Sequence, residues 1–427
     1  MAPEGFSQRM NMAMSNGNRR HGRGAASLAR AAALALLVAG ACAGADLDAA
    51  GLVNLLNTYE WFQLHDAVAA GAHPPLFVRG SLACIFNDVR RCERDMDRVV
   101  KSKAPERDVT IAHDLLTYMY VRAGRFGPAL DHRRASMRLV HRTSKDGLTS
   151  LLEGLIEPPE MSVEAFHPST IQCEPPGGVL VVPLTINGKQ ADFVLDTAAD
   201  YPTATEPEAQ RLGLRVSPGV CGRLDDASGK GVNARCAVAD RLDLGGIRLR
   251  NVPFMVLPAR AEIAWLRGAI GLQILLACRT VSWNEEGKLR LGYRAQGPKS
   301  KPNLYFDDLD LVVRTGYGNR DLAFVLDTGN GYVSRVSARF ANEFPDVINA
   351  SSERSKVVEV GAGDTATVDT VLLPNLTLGV GGIRATLPSV PVIPFGQPQH
   401  YGLLGYDVIR QAHTVSIDFE RMTLTLQ

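Results

Sequence analysis

The chain has 427 residues, 45% of them hydrophobic and 21% charged, which is the composition of a globular protein of about three domains. It excludes a disordered, collagenous or multi-span membrane chain. With 46 Lys and Arg against 45 Asp and Glu the net charge is +1, so no global basic field argues for nucleic acid.

The first elements in chain order look like a leader. Arg9, Arg19, Arg20, Arg23 and Arg30 face one acid, Glu4, and an uncharged run from Ala31 to Ala45 follows. A basic stretch, a short apolar core and small residues before Asp46 read as a secretory signal over 1–45, with Ala43-Gly44-Ala45 as the cleavage site. The run is too short for a comfortable span of about 20 residues. A second reading stays open, lipid attachment at Cys42 or a retained anchor, and membrane contact is expected only there. Residues 1–45 hold five Arg and one Glu, so the remainder carries 41 bases against 44 acids, a net −3. The expected location is exported, periplasmic or secreted.

Six cysteines remain after Cys42, an even number that suits an oxidising compartment. Six allow 15 pairings. Cys221–Cys236, bracketing a Gly-rich hairpin, and Cys84–Cys92 are the pairs we expect, with buried free thiols as the alternative for each. No C-x-x-C occurs and His does not cluster near Cys, so no metal or other cofactor is expected.

Residues 46–170 read as helices. Leu52, Leu55, Leu56, Tyr59, Trp61 and Phe62 recur at helical spacing, as do Val109, Ala112, Leu115, Leu116, Met119 and Tyr120. Gly124-Arg125-Phe126 breaks into a helix with Ala129 and Leu130. This texture resembles tetratricopeptide repeats, without a clean period of about 34 residues. It implies a partner-binding or scaffolding role. Arg134, Arg138 and Arg142 share one face, read first as solvated and second as a partner patch.

From Pro175 onward the texture is β: Val, Leu and Thr alternate between Gly-Gly and Asn-Gly turns. A polar linker at 296–303 divides two segments, 175–295 and 304–427. They repeat each other. Phe193-Val194-Leu195-Asp196-Thr197 returns as Phe324-Val325-Leu326-Asp327-Thr328, at an offset of 131. Leu242-Asp243-Leu244-Gly245 matches Leu376-Thr377-Leu378-Gly379, Gly268-Ala269-Ile270-Gly271 matches Gly402-Leu403-Leu404-Gly405, and Thr280-Val281-Ser282 matches Thr414-Val415-Ser416, each at 134. Four blocks in one order at near-constant offset mark a duplication. Gly379, Gly381 and Gly382 follow a strand with no helix behind them, so they read as a turn and not a phosphate loop.

In each segment a hairpin delivers an aspartate at a strand end. In the first, Asn187-Gly188 turns the chain before Ala191 to Leu195. Asp327-Thr328-Gly329 resembles the aspartic protease signature, and Asp196-Thr197-Ala198 resembles a variant of it. The hairpin and the triplets Ala269-Ile270-Gly271 and Leu403-Leu404-Gly405 resemble the retroviral-type branch. The resemblance spans about 60% of the chain. It implies an α+β multidomain protein: an all-β, bilobed, acid-protease-like barrel pair after an α-helical repeat-like domain, with both lobes fused in one chain as in pepsin-like enzymes. It further implies an Asp196/Asp327 dyad that activates water without metal or cofactor. Thr197 and Thr328 would cross-link the loops, with Ala198 and Gly329 supporting the dyad. Asp226, Ala227, Ser228 and Gly229 would form the first flap, a lid over the cleft, with Gly361-Ala362-Gly363-Asp364 as its counterpart. The partner implied is a polypeptide substrate, and no nucleic acid. Ala198 in place of Gly, and Asn330 after the second triad, depart from the pattern. They keep open a second reading: a weak or inactive peptide-binding module scaffolded by the helices.

Overall fold

The computed structural model describes residues 47–427 apart from 145, 157–158, 225–231, 260–265, 295–299, 332, 352, 361–364 and 394–397. The leader and both flap tips lie outside the described residues. Among the described residues no helix is long and apolar enough to cross a membrane.

Helices come first: α1 (Ala49–Asn57), α2 (Trp61–Ala69), α3 (Leu76–Ile85), α4 (Val89–Val100), α5 (Glu106–Arg122), α6 (Phe126–Leu139) and α7 (Gly147–Leu155). Local chemistry sets their starts. Asp48, Asp88 and Asp146 cap α1, α4 and α7 by accepting from the N–H groups of Gly51, Arg91 and Thr149. Gly124, at φ +69°, takes the left-handed turn between α5 and α6 that a side chain would resist. A disulfide joins Cys84 of α3 to Cys92 of α4. The buried Arg133 guanidinium of α6 bonds Asp114 of α5 and Asp146 before α7, so a desolvated charge is paired rather than stranded.

The helices end at Leu155, short of the expected boundary at 170. Residues beyond it form the strands β1 (Ser162–Phe166) and β2 (Ser169–Gln172). They are short edge strands with little buried surface, so their alternation is weak in sequence. β1 later joins the sheet of lobe 1, and β2 the sheet shared by both lobes.

Lobe 1 contains β3 (Val181–Ile186), β4 (Lys189–Leu195), β5 (Thr203–Thr205), α8 (Glu206–Leu212), β6 (Arg215–Leu224), β7 (Val232–Leu244), β8 (Ile247–Leu257), β9 (Gly268–Ile270), α9 (Leu272–Cys278), β10 (Thr280–Asn284) and β11 (Lys288–Leu291). Lobe 2 contains β12 (Leu304–Asp307), β13 (Asp310–Tyr317), β14 (Arg320–Leu326), β15 (Arg335–Ser337), α10 (Ala338–Glu343), α11 (Pro345–Ser351), β16 (Glu353–Val360), β17 (Thr365–Val380), β18 (Ile383–Ile393), β19 (Gly402–Leu404), α12 (Tyr406–Ile409), β20 (Thr414–Asp418) and β21 (Thr423–Leu426).

The strand orders carry the duplication into three dimensions. Followed through its hydrogen-bonded pairs, lobe 1 runs β8-β5-β9-β4-β3-β7-β6 and lobe 2 runs β18-β15-β19-β14-β13-β17-β16, the same path position by position, with β1 added beside β8 and β12 beside β13. The third sheet, β2-β11-β10-β20-β21, belongs to both lobes. In it β10 pairs antiparallel with β20, and Ser282 faces Ser416, its own repeat. A residue that faces its own copy sits on a pseudo-twofold axis, so this pairing fixes how the lobes meet. Gly381 and Gly382 form the turn between β17 and β18, as their sequence context predicts.

Candidate active site

Two hairpins aim the aspartates. β3 and β4 join at Asn187 (φ +50°) and Gly188 (φ +80°), the double left-handed turn that closes a two-residue hairpin. β4 then ends at Asp196, whose N–H donates to Ile270 O at 3.2 Å; Asp327 N–H donates to Leu404 O at 2.9 Å. The Ala-Ile-Gly and Leu-Leu-Gly triplets thus frame the two loops, through β9 parallel to β4 and β19 parallel to β14.

The threonines cross between lobes. Thr197 Oγ1 donates to Leu326 O at 2.6 Å, and Thr328 Oγ1 donates to Leu195 O at 2.8 Å. Each hydroxyl also accepts the other loop's amide: Thr328 N–H to Thr197 Oγ1 and Thr197 N–H to Thr328 Oγ1, both at 3.1 Å. Both side chains are fully buried, so all four groups would be costly to leave unpaired.

The carboxylates are held alike. Asp196 Oδ1 accepts from Ala198 N and Ala199 N at 2.9 and 3.1 Å. Asp327 Oδ1 accepts from Gly329 N and Asn330 N at 3.1 and 2.9 Å. The loops abut: a Cβ on Gly329 would lie 2.3 Å from Asp196 Cγ, so only glycine fits there. Burial first, and the Asp327 charge second, push the Asp196 carboxyl well above its usual range, against the two amide bonds that favour its anion.

Ala198 occupies the partner position of Gly329 and still leaves its amide on Asp196. Asn330 bonds the dyad through its backbone, while its side-chain amide donates to Val333 O at 3.3 Å. The expected flap residues Asp226, Ala227, Ser228 and Gly229, and 361–364 in lobe 2, lie outside the described residues. The first flap stem, β6 with β7, carries the Cys221–Cys236 disulfide. Cys173 and Cys278 are buried free thiols.

Sequence reasoning missed Asp310. β13 runs antiparallel to β14 with Val312 opposite Val325, so two residues on Asp310 reaches the level of Asp327. Burial raises its carboxyl to about 6 against the opposing pull of His400, with Asp307 and Asp327 adding to the rise. The signal for it was a break in the repeat: lobe 1 has Val179 at the matching position.

Residues 182–276 match the family model for aspartyl proteases, a span that lies within lobe 1. No curated protein matches the chain. Among solved structures, a retropepsin-like aspartic protease from Rickettsia conorii is 18% identical at a TM-score of 0.23, over 31% of this chain and 96% of that one. The retroviral protease-like domain of Ddi1 from Leishmania major is 23% identical at a TM-score of 0.17, over 24% of this chain and 76% of that one. The family match makes residues 182–276 similar to aspartyl proteases, and lobe 2 repeats the strand order of that region.

Proposed function

We propose that the chain is an exported aspartic endopeptidase that hydrolyses peptide bonds with water activated by Asp196 and Asp327. The observation that carries this is the reciprocal threonine lattice holding two carboxyls together, one with its proton affinity raised by burial and by the other's charge. The ionised carboxyl accepts a proton from water as the oxygen attacks the peptide carbonyl carbon. The protonated carboxyl donates to the carbonyl oxygen, giving a neutral tetrahedral diol. In the collapse one diol hydroxyl gives its proton to the ionised carboxyl as the C=O re-forms, the C–N bond breaks, and the protonated carboxyl gives its proton to the leaving amine, so the dyad ends with one proton as it began. The two acids act as one titrating unit, so neither is permanently acid or base.

The leader supports export, and the cysteine pairs Cys84–Cys92 and Cys221–Cys236 suit an oxidising compartment. The competing reading is a peptide-binding module, favoured by Ala198. Cleavage of a denatured-protein or peptide library at mildly acidic pH separates them. The protease reading expects turnover that Asp196→Asn and Asp327→Asn both abolish. A binding module expects peptide affinity that survives both substitutions, with no turnover at any pH.

A further inference from the structure

The amides that hold the two aspartates are themselves held, and one step back the two lobes do it in the same way. Ala199 N–H bonds Asp196 Oδ1, and Ala199 O accepts from Leu272 N at 2.9 Å. In lobe 2 Asn330 N–H bonds Asp327 Oδ1, and Asn330 O accepts from Tyr406 N at 2.8 Å. Leu272 opens α9 and Tyr406 opens α12, and the two match at the offset of 134. Each dyad loop therefore hangs from the start of a short helix.

The next step differs between the lobes. In lobe 2 the buried Asp407 carboxylate accepts from Ser334 N at 2.8 Å and from the Ser334 hydroxyl, and Ser334 Oγ accepts from Gly405 N at 2.9 Å. One charge-assisted cluster thus ties the far end of the Asp327 loop to the start of α12, inside the lobe. The matching residues of lobe 1 are Thr203 and Gln273. Among the described residues no bond joins them. Thr203 Oγ1 accepts from Ala269 N at 3.2 Å. Gln273 is fully buried, and its Nε2 donates to Val121 O of α5 at 3.4 Å, while its Oε1 has no hydrogen-bond partner among the described residues.

The helical domain stands where that cluster is missing. Tyr201, on the loop between Asp196 and Thr203, is 2% exposed and belongs to the helical core, with the Phe126 ring of α6 at 6.4 Å between centroids. The Tyr201 backbone abuts the residue before α9: a Cβ on Gly271 would lie 2.3 Å from Tyr201 C. So α6 backs the loop and α5 meets the first turn of the helix from which the loop hangs. Among the described residues no hydrogen bond joins the helical domain to Ser334 or Asp407. Its bonds to lobe 2 include Arg122 to Asp308 O at 2.6 Å and Asp66 with Arg314 at 2.9 Å.

We infer that the helical domain is part of the support of the first dyad loop, with Tyr201 and Gln273 as positioning residues that α6 and α5 hold in place, in the role that Ser334 and Asp407 fill within lobe 2. The reading gives the domain a task beyond recruiting or blocking a substrate: it keeps Asp196 level with Asp327. It rests on the protease reading for its effect on turnover and on the loop contacts alone for its effect on motion.

The test uses the full chain, with hydrogen–deuterium exchange read on peptides covering 196–203 and 327–334, and with kcat and KM for a cleaved library peptide. Phe126→Ala removes the ring behind Tyr201. Gln273→Met keeps the volume and removes the amide, so it opens no cavity and carries the test if Phe126→Ala does not fold. Each is expected to speed exchange at 196–203 by about threefold or more and to leave 327–334 unchanged, and Ser334→Ala to do the reverse. Each should also lower kcat by about tenfold with KM within about twofold, since the aspartate moves and the grip on the peptide does not. Exchange at 196–203 unchanged in a folded variant, or raised equally in both loops, overturns the inference, as does an unchanged kcat in a chain that cleaves. If the wild-type chain cleaves no peptide, the protease reading fails, and the exchange pattern decides the inference by itself.

Discussion

The two lobes share one strand order but not one environment. At the flap stem lobe 1 has the Cys221–Cys236 disulfide, and lobe 2 has Ser355 paired opposite Thr370 at the matching positions. On β8 of lobe 1 Met255 is fully buried against the helices, while its counterpart on β18, Ser389, is exposed. The dyad loops differ least, with four reciprocal threonine bonds, and the outer surfaces differ most. Duplication conserves what both halves must build together at the axis. It leaves each half free wherever only one of them meets a partner.

The sharpest way to break this symmetry is at the dyad glycine. Gly329→Ala puts a methyl into Asp196 and should cut kcat by about a hundredfold or more, since displacing a reacting group by about 1 Å costs that much. Ala198→Gly, at the matching position, should leave activity close to wild type. Comparable losses from both would show that positions 198 and 329 are equally crowded, against the contact that singles out Gly329.

Removing one threonine hydroxyl should be next in size. Thr328→Val leaves Leu195 O and the Thr197 N–H without their partner in a fully buried place, which should destabilise the chain by about 2–4 kcal/mol in chemical denaturation. Thr197→Val should cost about the same, because its bonds are the mirror set. A large difference between the two would weaken the twofold reading.

The disulfide that only lobe 1 carries closes a loop across 15 residues, worth about 3 kcal/mol. Cys236→Ser paired with Cys221→Ser should lower the free energy of unfolding in chemical denaturation by about that amount. No equivalent loss is expected from Ser355→Ala, measured in the same way.

The smallest effect lies in the helical domain. His113 Nδ1 and His132 Nδ1 are 2.8 Å apart between α5 and α6. Burial first, and the neighbouring ring second, lower the proton affinity of His113 to a pKa of about 4; burial lowers His132 as well. A base with a depressed folded pKa adds stability above its unfolded value near 6.5, and that stability is lost as pH falls toward the folded value. Thermal unfolding followed from pH 7 to pH 4 should show a falling midpoint, and His113→Gln should flatten the fall. A midpoint unchanged by the substitution would remove this pair from the account.

Much of the dyad was legible in sequence because it is written twice: Phe-Val-Leu-Asp-Thr and the hydrophobic-hydrophobic-Gly triplets return at nearly constant offset. The disulfide pairs were narrowed by proximity in sequence, since both close short loops. The docking of the helices was not legible. Phe126, Tyr201 and Met255 are apolar or aromatic residues that read as the core of their own segment, and nothing in periodicity says that one core continues into the next. Asp310 was hidden for a related reason: attention goes to what repeats, and its importance lies in a position that does not.

We propose that Asp196 and Asp327 form one catalytic unit. The most direct measurement is the pH dependence of kcat/KM for a cleaved peptide, for the wild-type chain and for Asp327→Asn. Asp196 has its carboxyl affinity raised by burial and by the Asp327 charge, so the working form holds one proton between the pair. Wild type should give a bell-shaped profile, falling at high pH as that shared proton leaves and at low pH as the second carboxyl protonates, and the folded Asp327→Asn chain should show no measurable turnover. Turnover that persists in that variant with the same profile would contradict it.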